Sequence, residues 1–482
     1  MVLILHGNQA FGRAYIKNHP AEENVGGVQL LHGTPQCLFL LVGIVAQNVS
    51  VIDSLPVYRL AQKADSPHQY LTKTEQSLQL QTSSGVFLSI QSPIRAWITT
   101  AEYPTIHADI RRTGMHKLIG APVSLYTGKV RCYLQFKGIR FEEVLSTPQI
   151  FKELIIPRTG VRYIPVLVTP DDQVIQDSTE IIDHLEHHFP NRSVYPTGPC
   201  QRLVALLLEI YGDEWLVNPA MLYRWKIEEN REFAIQEFGR TRLPGASAKE
   251  QYAAGLEASG PFAGALPRLG ITDHSRAAIE QSYLSLLDEL NIHFSDHDYL
   301  LGDQPCIGDF GLIGPLYAHL YRDPASGRLM RERAPQVARW VERMISPDAS
   351  SHDGGFLPND QVPDTLLPII NRMFDEQVPV LLETARQLKE WTEANPDAED
   401  IPRAIGTLRY RLGDMEEERL VFPYNLWMWQ RAHDFYGELT GDHRAGITAL
   451  LNDAQIHALA TPLSVRLQRR NNKLKRQTES GQ

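Results

Sequence analysis

"HKLIGAPVSLYTGKVRCYLQFKGIRFEEV", residues 116–144, reads as strand, turn, helix and second strand. His116 to Gly120 is a short, mostly apolar strand. Val130, Tyr133, Leu134 and Lys137 fall at helical spacing, so residues 128–136 are predicted helical, with Gly138 ending the helix as glycine does beyond a C-cap. Residues 139–144 supply the second strand. Such a crossover almost always joins parallel strands with a right-handed turn. Ser124 stands in the turn, just ahead of the helix. A hydroxyl there can cap the helix. It can equally donate to an anion held at the positive helix end.

Working outward, "TPQIFKELIIPRTG" (147–160) is a second helix and a loop, and "YIPVLVTPDDQVIQDS" (163–178) is a hairpin turning at Pro170-Asp-Asp-Gln. "STEIIDHLEHHF" (178–189) is a third helix closed by Pro190. The order β-α-β-α-β-β-α is the thioredoxin topology. A proline-bearing linker (195–199) then leads into helices: "QRLVALLLEIYGDEWLVNPAMLYRW", "AAIEQSYLSLLDELNIHF" and "GDFGLIGPLYAHLY". The expected organisation is a thioredoxin-like α/β domain over 115–190, an all-helical domain over 200–330 and a mostly helical extension over 331–482. In the extension, "GTLRYRLGDMEEERLVF" alternates like a hairpin around Gly413-Asp414. The basic tail, with Arg466, Arg469, Arg470, Lys473, Lys475 and Arg476, reads as a solvated helix end.

Composition sets the outer bounds. A net charge of -10 disfavours nucleic-acid and anionic-membrane partners. The apolar run at 37–47 is shorter than the ~20 residues a bilayer span needs. Four scattered cysteines (Cys37, Cys132, Cys200 and Cys306) form no CxxC or metal-ligand spacing and suit a reducing cytosol. The expected location is therefore cytoplasmic, and no metal is expected. Residues 1–114 carry no chemical motif; "QKADSPHQYLTKTEQSLQLQTSSG" reads as polar linker and the stretch from Val86 as an isolated strand. They form an unassigned leader, either a mis-called start ahead of Met115 or a poorly ordered segment.

Four places carry a resemblance to the glutathione S-transferase family, close over 116–189 and looser to about Arg322. "LIGAPVSLYTGKVRCYLQFKGI" is similar to the family's first strand, active-site turn and first helix; the serine of its S-P-Y pattern falls on Ser124, with Leu125 replacing the proline. "YIPVL" matches the start of the family's third strand, where a cis bond precedes the proline and the backbone pairs with glutathione, here at Ile164 and Pro165. "QDSTEIIDHLE" resembles the E-S-x-A-I motif that holds the γ-glutamyl end, with Asp177 in the acidic place and Ser178 as the serine. Read without the family, the same residues form a capping box, Asp177 as N-cap with Glu180 three residues on. "GDQPCIGDFGL" matches a helix-nucleating S/T-x-x-D box through Asp309, but Cys306 replaces the hydroxyl and should weaken the cap.

The resemblance implies a serine-type, bacterial-like member with an atypical C-terminal extension. It would bind glutathione as co-substrate and transfer its thiolate to a small electrophile. Ser124 would be catalytic, with Ile164, Pro165, Asp177 and Ser178 binding glutathione. Tyr126, Tyr223, Arg224 and Trp225 are candidates for an electrophile pocket, although aromatic residues on such a helix are as readily core. Cys132 lies well inside the first helix and reads as core, and His184, His187 and His188 read as a solvated face. A homodimer is left open. So are a non-catalytic glutathione-binding or scaffold module and a glutathione-dependent reductase or isomerase, which would want cysteine at Ser124. Because every recognised element begins at Met115, a chain expressed from Met115 should be as soluble and as stable as the whole. Insolubility, or a melting temperature many degrees lower, would refute that.

Overall fold

The computed structural model describes residues 114–346 and 354–477, together with the backbone of five short strands before residue 91. The chain divides into two units, Met1–Thr105 and Ile106–Gln482. In the first, Val2–His6, Arg13–Lys17 and Val28–Gln29 form one antiparallel sheet, and Leu78–Gln81 pairs with Phe87–Ile90. The strand expected near Val86 thus has a partner, drawn from the stretch expected to be linker. The expectation that residues 1–114 are dispensable concerns residues that, these strands apart, lie outside those described.

In the second unit β1 (His116–Gly120) leads through a tight turn into α1 (Leu125–Phe136), which begins three residues before the expected start. Ser124 is its N-cap and accepts the Thr127 N–H at 3.2 Å. At the other end Gly138 takes φ +65°, with Gly138 N–H on Gln135 O and Ile139 N–H on Leu134 O. This is the paired C-terminal closure that glycine permits. Strand β2 (Phe141–Leu145) runs parallel to β1. The second helix, α2, is longer than expected: Pro148–Ile150, a π turn over Phe151–Ile155, and Ile156–Thr159, closed by Gly160 in the left-handed region. Strands β3 (Val166–Val168) and β4 (Val174–Gln176) form the expected hairpin, and α3 (Ser178–His188) follows. The sheet order β2-β1-β3-β4 is mixed, with β3 antiparallel to β1.

Strand alternation divides the sheet's two faces. Leu118 and Leu167 join the large core with α1 and α3, while Ile119, Val166 and Val168 pack on Ile150, Leu154 and Ile155 of α2. The fold is a thioredoxin-like α/β domain followed by an all-helical domain.

The helical domain opens with α4 (Pro199–Ile210), a π turn (Tyr211–Trp215) and α5 (Val217–Lys226), where one uninterrupted helix was expected. It continues through α6 (Glu228–Arg242), α7 (Ala248–Ala263), α8 (Arg276–Asp296) and α9 (Ile307–Ala318). A Cβ on Gly212 would lie 2.3 Å from the Gly311 carbonyl carbon, so the π turn and α9 cross with backbones in contact. Helices α10 (Pro324–Arg333), α11 (Pro335–Met344), α12 (Leu367–Glu376) and α13 (Val378–Ala394) lead to a hairpin, β5 (Thr407–Leu412) and β6 (Met415–Leu420), turning at Gly413-Asp414 as expected. Helices α14 (Pro423–Glu438), α15 (Gly441–Leu450) and α16 (Asp453–Ala460) precede the tail.

The tail overturns its expectation. It is a second hairpin, β7 (Leu467–Arg470) and β8 (Lys473–Arg476), whose turn residues Asn471 and Asn472 both take positive φ, as a two-residue primed turn requires. Four of its cations are paired within the chain: Lys473 and Lys475 on Asp400, Arg466 on Asp434, Arg469 on Asp177. A local charge count could not see acidic partners so distant in sequence.

Asp309 carries more than a helix cap. Its carboxylate accepts from Cys306 N at 2.9 Å, Leu300 N at 3.2 Å and Trp340 Nε1 at 3.0 Å. It is fully buried, and burial pushes its pKa up to about 6. Unsatisfied buried donors cost ~1–3 kcal/mol each. Asp309→Ala should therefore lower stability by about 3–5 kcal/mol in urea unfolding, while Cys306→Ser, which restores a hydroxyl, should change it by less than about 1 kcal/mol.

Candidate active site

The turn before Ser124 is built from both domains. Ser124 N bonds Ala121 O at 3.0 Å, and a Cβ on Gly120 would strike the Thr127 side chain at 2.3 Å, so the strand end and the first helical turn close on each other. From the helical domain Arg224 Nη1 donates to Val123 O at 2.9 Å and Arg322 Nη1 to Pro122 O at 2.7 Å. Arg224 is wholly buried. It grips Asp323 through Nε and Nη2, both at 2.7 Å, and donates to Ala318 O. Tyr223 packs edge-on against Tyr283, and Trp225 lies against Phe238. The structure thus places Tyr223, Arg224 and Trp225 in the helical core rather than on an open cleft, and gives Arg224 the task of holding the turn.

Tyr126 stands two residues after Ser124, in the first turn of α1, its hydroxyl on Asp213 O at 3.0 Å. Burial raises its pKa well above the usual phenol value, and Glu214, Asp213 and Asp177 raise it further. Tyr126, Asp213, Glu214 and Asp177 therefore share one electrostatic neighbourhood. Glu214 is half-buried, and its carboxyl is pushed well up by burial, then by Asp213 and Asp177. Cys132 is buried in the core, and burial pushes its thiol up to about 12.

The Ile164–Pro165 bond is cis, as "YIPVL" suggests. Pro165 is buried and its carbonyl receives Asp177 N at 3.5 Å. Ile164 forms no hydrogen bond with another described residue. Asp177 is the N-cap of α3 at φ +97°, and Ser178 is buried beside it. The Asp177 Oδ1 accepts from Thr179 N at 2.9 Å and Glu180 N at 3.4 Å, so Asp177 is an N-cap, but the expected box is not closed, because Asp177 N turns to Pro165 O rather than to Glu180. Its Oδ2 takes the Tyr424 hydroxyl at 2.7 Å and lies 2.8 Å from Arg469 Nη1. Neither Tyr424 nor Arg469 was legible as a site residue, since α14 and the tail carry no motif that points to α3. Arg419 of β6 was missed as well. It is buried over the Trp215 and Tyr410 rings, and burial pulls its pKa down to about 10.

Among the described residues no group of three His, Cys, Asp or Glu could hold a metal, and no helix is long and apolar enough to cross a membrane. Residues 118–193 match the family model for the glutathione S-transferase N-terminal domain, and residues 274–348 that for the C-terminal domain. Two separate segments of the chain thus match the two domain models of one family. It is 27% identical over 132 residues to glutathione S-transferase U18 of Arabidopsis thaliana, a match covering 26% of this chain and 58% of that one. It is also similar to a solved glutathione S-transferase from Rhodospirillum rubrum F11, with 18% identity, TM-score 0.34, and coverage of 52% of this chain and 97% of that one. A solved transferase from Methylobacterium radiotolerans, in complex with glutathione sulfonate, gives 21% identity, TM-score 0.33, and coverage of 52% and 98%.

Arg224 ties the carbonyl ahead of Ser124 to the buried Asp323. Breaking a buried ion pair from one side costs about 3–5 kcal/mol, whereas replacing both charges by apolar groups is far milder. Arg224→Met should therefore destabilise by about that much, and the double change Arg224→Met/Asp323→Leu by clearly less, measured by chemical unfolding.

Proposed function

We propose that this chain is a serine-type glutathione transferase, in which Ser124 stabilises bound glutathione as a thiolate for attack on a small electrophile. One observation carries the reading. Ser124 caps α1 with an oxygen lone pair, and this leaves its O–H free to donate beside the helix N-terminus. Capping and thiolate binding are thus compatible roles of one hydroxyl. A donor to the anionic sulfur favours its ionised form, and the positive helix end adds to this. Ile164 offers to the extended peptide an N–H and C=O uncommitted among the described residues. Asp177 and Ser178 stand at the N-terminus of α3 for the γ-glutamyl end. The electrophile would approach over Tyr126, near Glu214.

The cysteine-dependent reductase reading finds no support, because the nearest thiol, Cys132, is buried and held protonated. A non-catalytic glutathione-binding or scaffold module is the second reading. The observation favouring it is that Asp177 already has partners from the extension.

A hydrogen bond to a charged group is worth roughly 1.5–3 kcal/mol. Ser124→Ala should therefore raise the bound thiol's pKa by about one to two units. Turnover near neutral pH with an aryl halide should fall ~10- to 100-fold, with glutathione affinity little changed, and Cys132→Ala should alter neither. Full activity in Ser124→Ala, with loss in Cys132→Ala, would make the serine a helix cap only.

A further inference from the structure

We infer that the C-terminal hairpin is a built-in competitor for the glutathione site, with Arg469 and Tyr424 occupying the acidic position that a γ-glutamyl ammonium needs. The inference rests on the glutathione reading above and concerns the regulation of that site.

A carboxylate offers about four acceptor positions. On Asp177, Oδ1 accepts from Thr179 N and Glu180 N, while Oδ2 accepts the Tyr424 hydroxyl and is closed in by the Arg469 guanidinium, an ion pair at 2.8 Å. The first two belong to the helix that Asp177 caps and stay with it. The other two come from more than two hundred residues downstream. An incoming ammonium can pair with Asp177 only by displacing them. Arg469 brings the same unit of positive charge, with a side chain 5% exposed, and also bonds Gln176 Oε1 at 2.8 Å and lies 3.6 Å from Glu180. It thus spans the acidic edge from the end of β4 into the first turn of α3.

The element that carries Arg469 is suited to release. Hairpin β7–β8 is two short strands, a unit that is marginal alone. Its hold on the thioredoxin domain is polar: Arg469 on Asp177 and Gln176, and Asn472 Nδ2 on Thr159 O at 2.9 Å. At its base Leu467 exchanges two hydrogen bonds with Gln430 of α14, an anchor that persists when the tip lifts. Leu467 and Leu474 keep the hairpin on the core and Ile401 N bonds Leu474 O at 2.8 Å, so what opens is the turn end that carries Arg469, held to the thioredoxin domain by polar contacts.

The test uses the full chain. Glutathione affinity is measured calorimetrically for the natural protein, Arg469→Gln and the milder Tyr424→Phe, with circular dichroism as a check on folding. Amide exchange over residues 467–477 is followed with and without saturating glutathione. Removal of a competitor should tighten binding, about tenfold in Arg469→Gln and less in Tyr424→Phe, and glutathione should speed exchange in the hairpin of the natural protein. If the natural protein binds glutathione but Arg469→Gln binds no better, or the hairpin becomes more protected, Arg469 is a ligand-binding arm and the competitor inference fails alone. If neither the natural protein nor any variant binds glutathione, the glutathione reading fails and takes this inference with it.

Discussion

The buried ammonium of Lys129 fixes how the parts of this molecule meet. It has no solvent exposure and lies 2.8 Å from Glu209, 2.5 Å from Asp213 and 3.2 Å from Thr179 Oγ1. Removing such charges from water costs several kcal/mol per ion, so the arrangement persists only with near-complete pairing. Burial alone would lower the Lys129 pKa, but Asp213 and Glu209 outweigh it and the group stays charged. The second carboxylate is balanced by Arg431, whose Nη1 lies 2.9 Å from Glu209. Lys129 comes from α1, Thr179 from α3, the two acids from α4 and its π turn, and Arg431 from α14. Thioredoxin domain, helical domain and extension are thereby held to one geometry. A shift of any one would strand a buried charge.

The candidate site inherits its shape from that constraint. The π turn that presents Asp213 to Lys129 also places Asp213 O on the Tyr126 hydroxyl and Glu214 in the same neighbourhood. π turns inside helices recur at functional sites, and here the turn re-aims two acids toward the first helix. From the opposite side Arg224 and Arg322 clamp the carbonyls of Val123 and Pro122. Ser124 is thus oriented by a domain other than its own. A change in the helical core at Arg224 or Asp323 would reach the serine without touching any ligand.

Much of the thioredoxin half was legible because its information is local. Gly138 past a helix, Pro170-Asp-Asp-Gln between two apolar runs, and Asp177 ahead of α3 each state their conformation within a few residues. The Ser124 turn was legible in kind, although α1 begins at Leu125 because the serine is the cap itself. What escaped was long-range. Nothing in "MLYRW" says that Arg224 faces Asp323 rather than a cleft; that follows from α5 lying against the start of α10. Nothing in the tail says that Arg469 is nearly dry, because its partner stands 292 residues earlier, and lone basic residues usually remain solvated.

Asp177 shows how one residue can serve its own helix and a distant part of the chain at once. As a short acid it reaches its own helix N-terminus and caps it, the half of a capping box that lies on its own side chain. Its backbone, at φ +97°, is a conformation a non-glycine residue keeps only when its surroundings impose it. The cap bonds and the Pro165 carbonyl impose it from within the thioredoxin domain. The remaining carboxylate oxygen then points outward with a full charge to satisfy. In a chain ending after the helical domain, that charge would be left to solvent or to a ligand. Here the extension supplies Tyr424 and Arg469 to it. The outward oxygen is therefore the point at which the C-terminal helices and hairpin meet the first turn of α3.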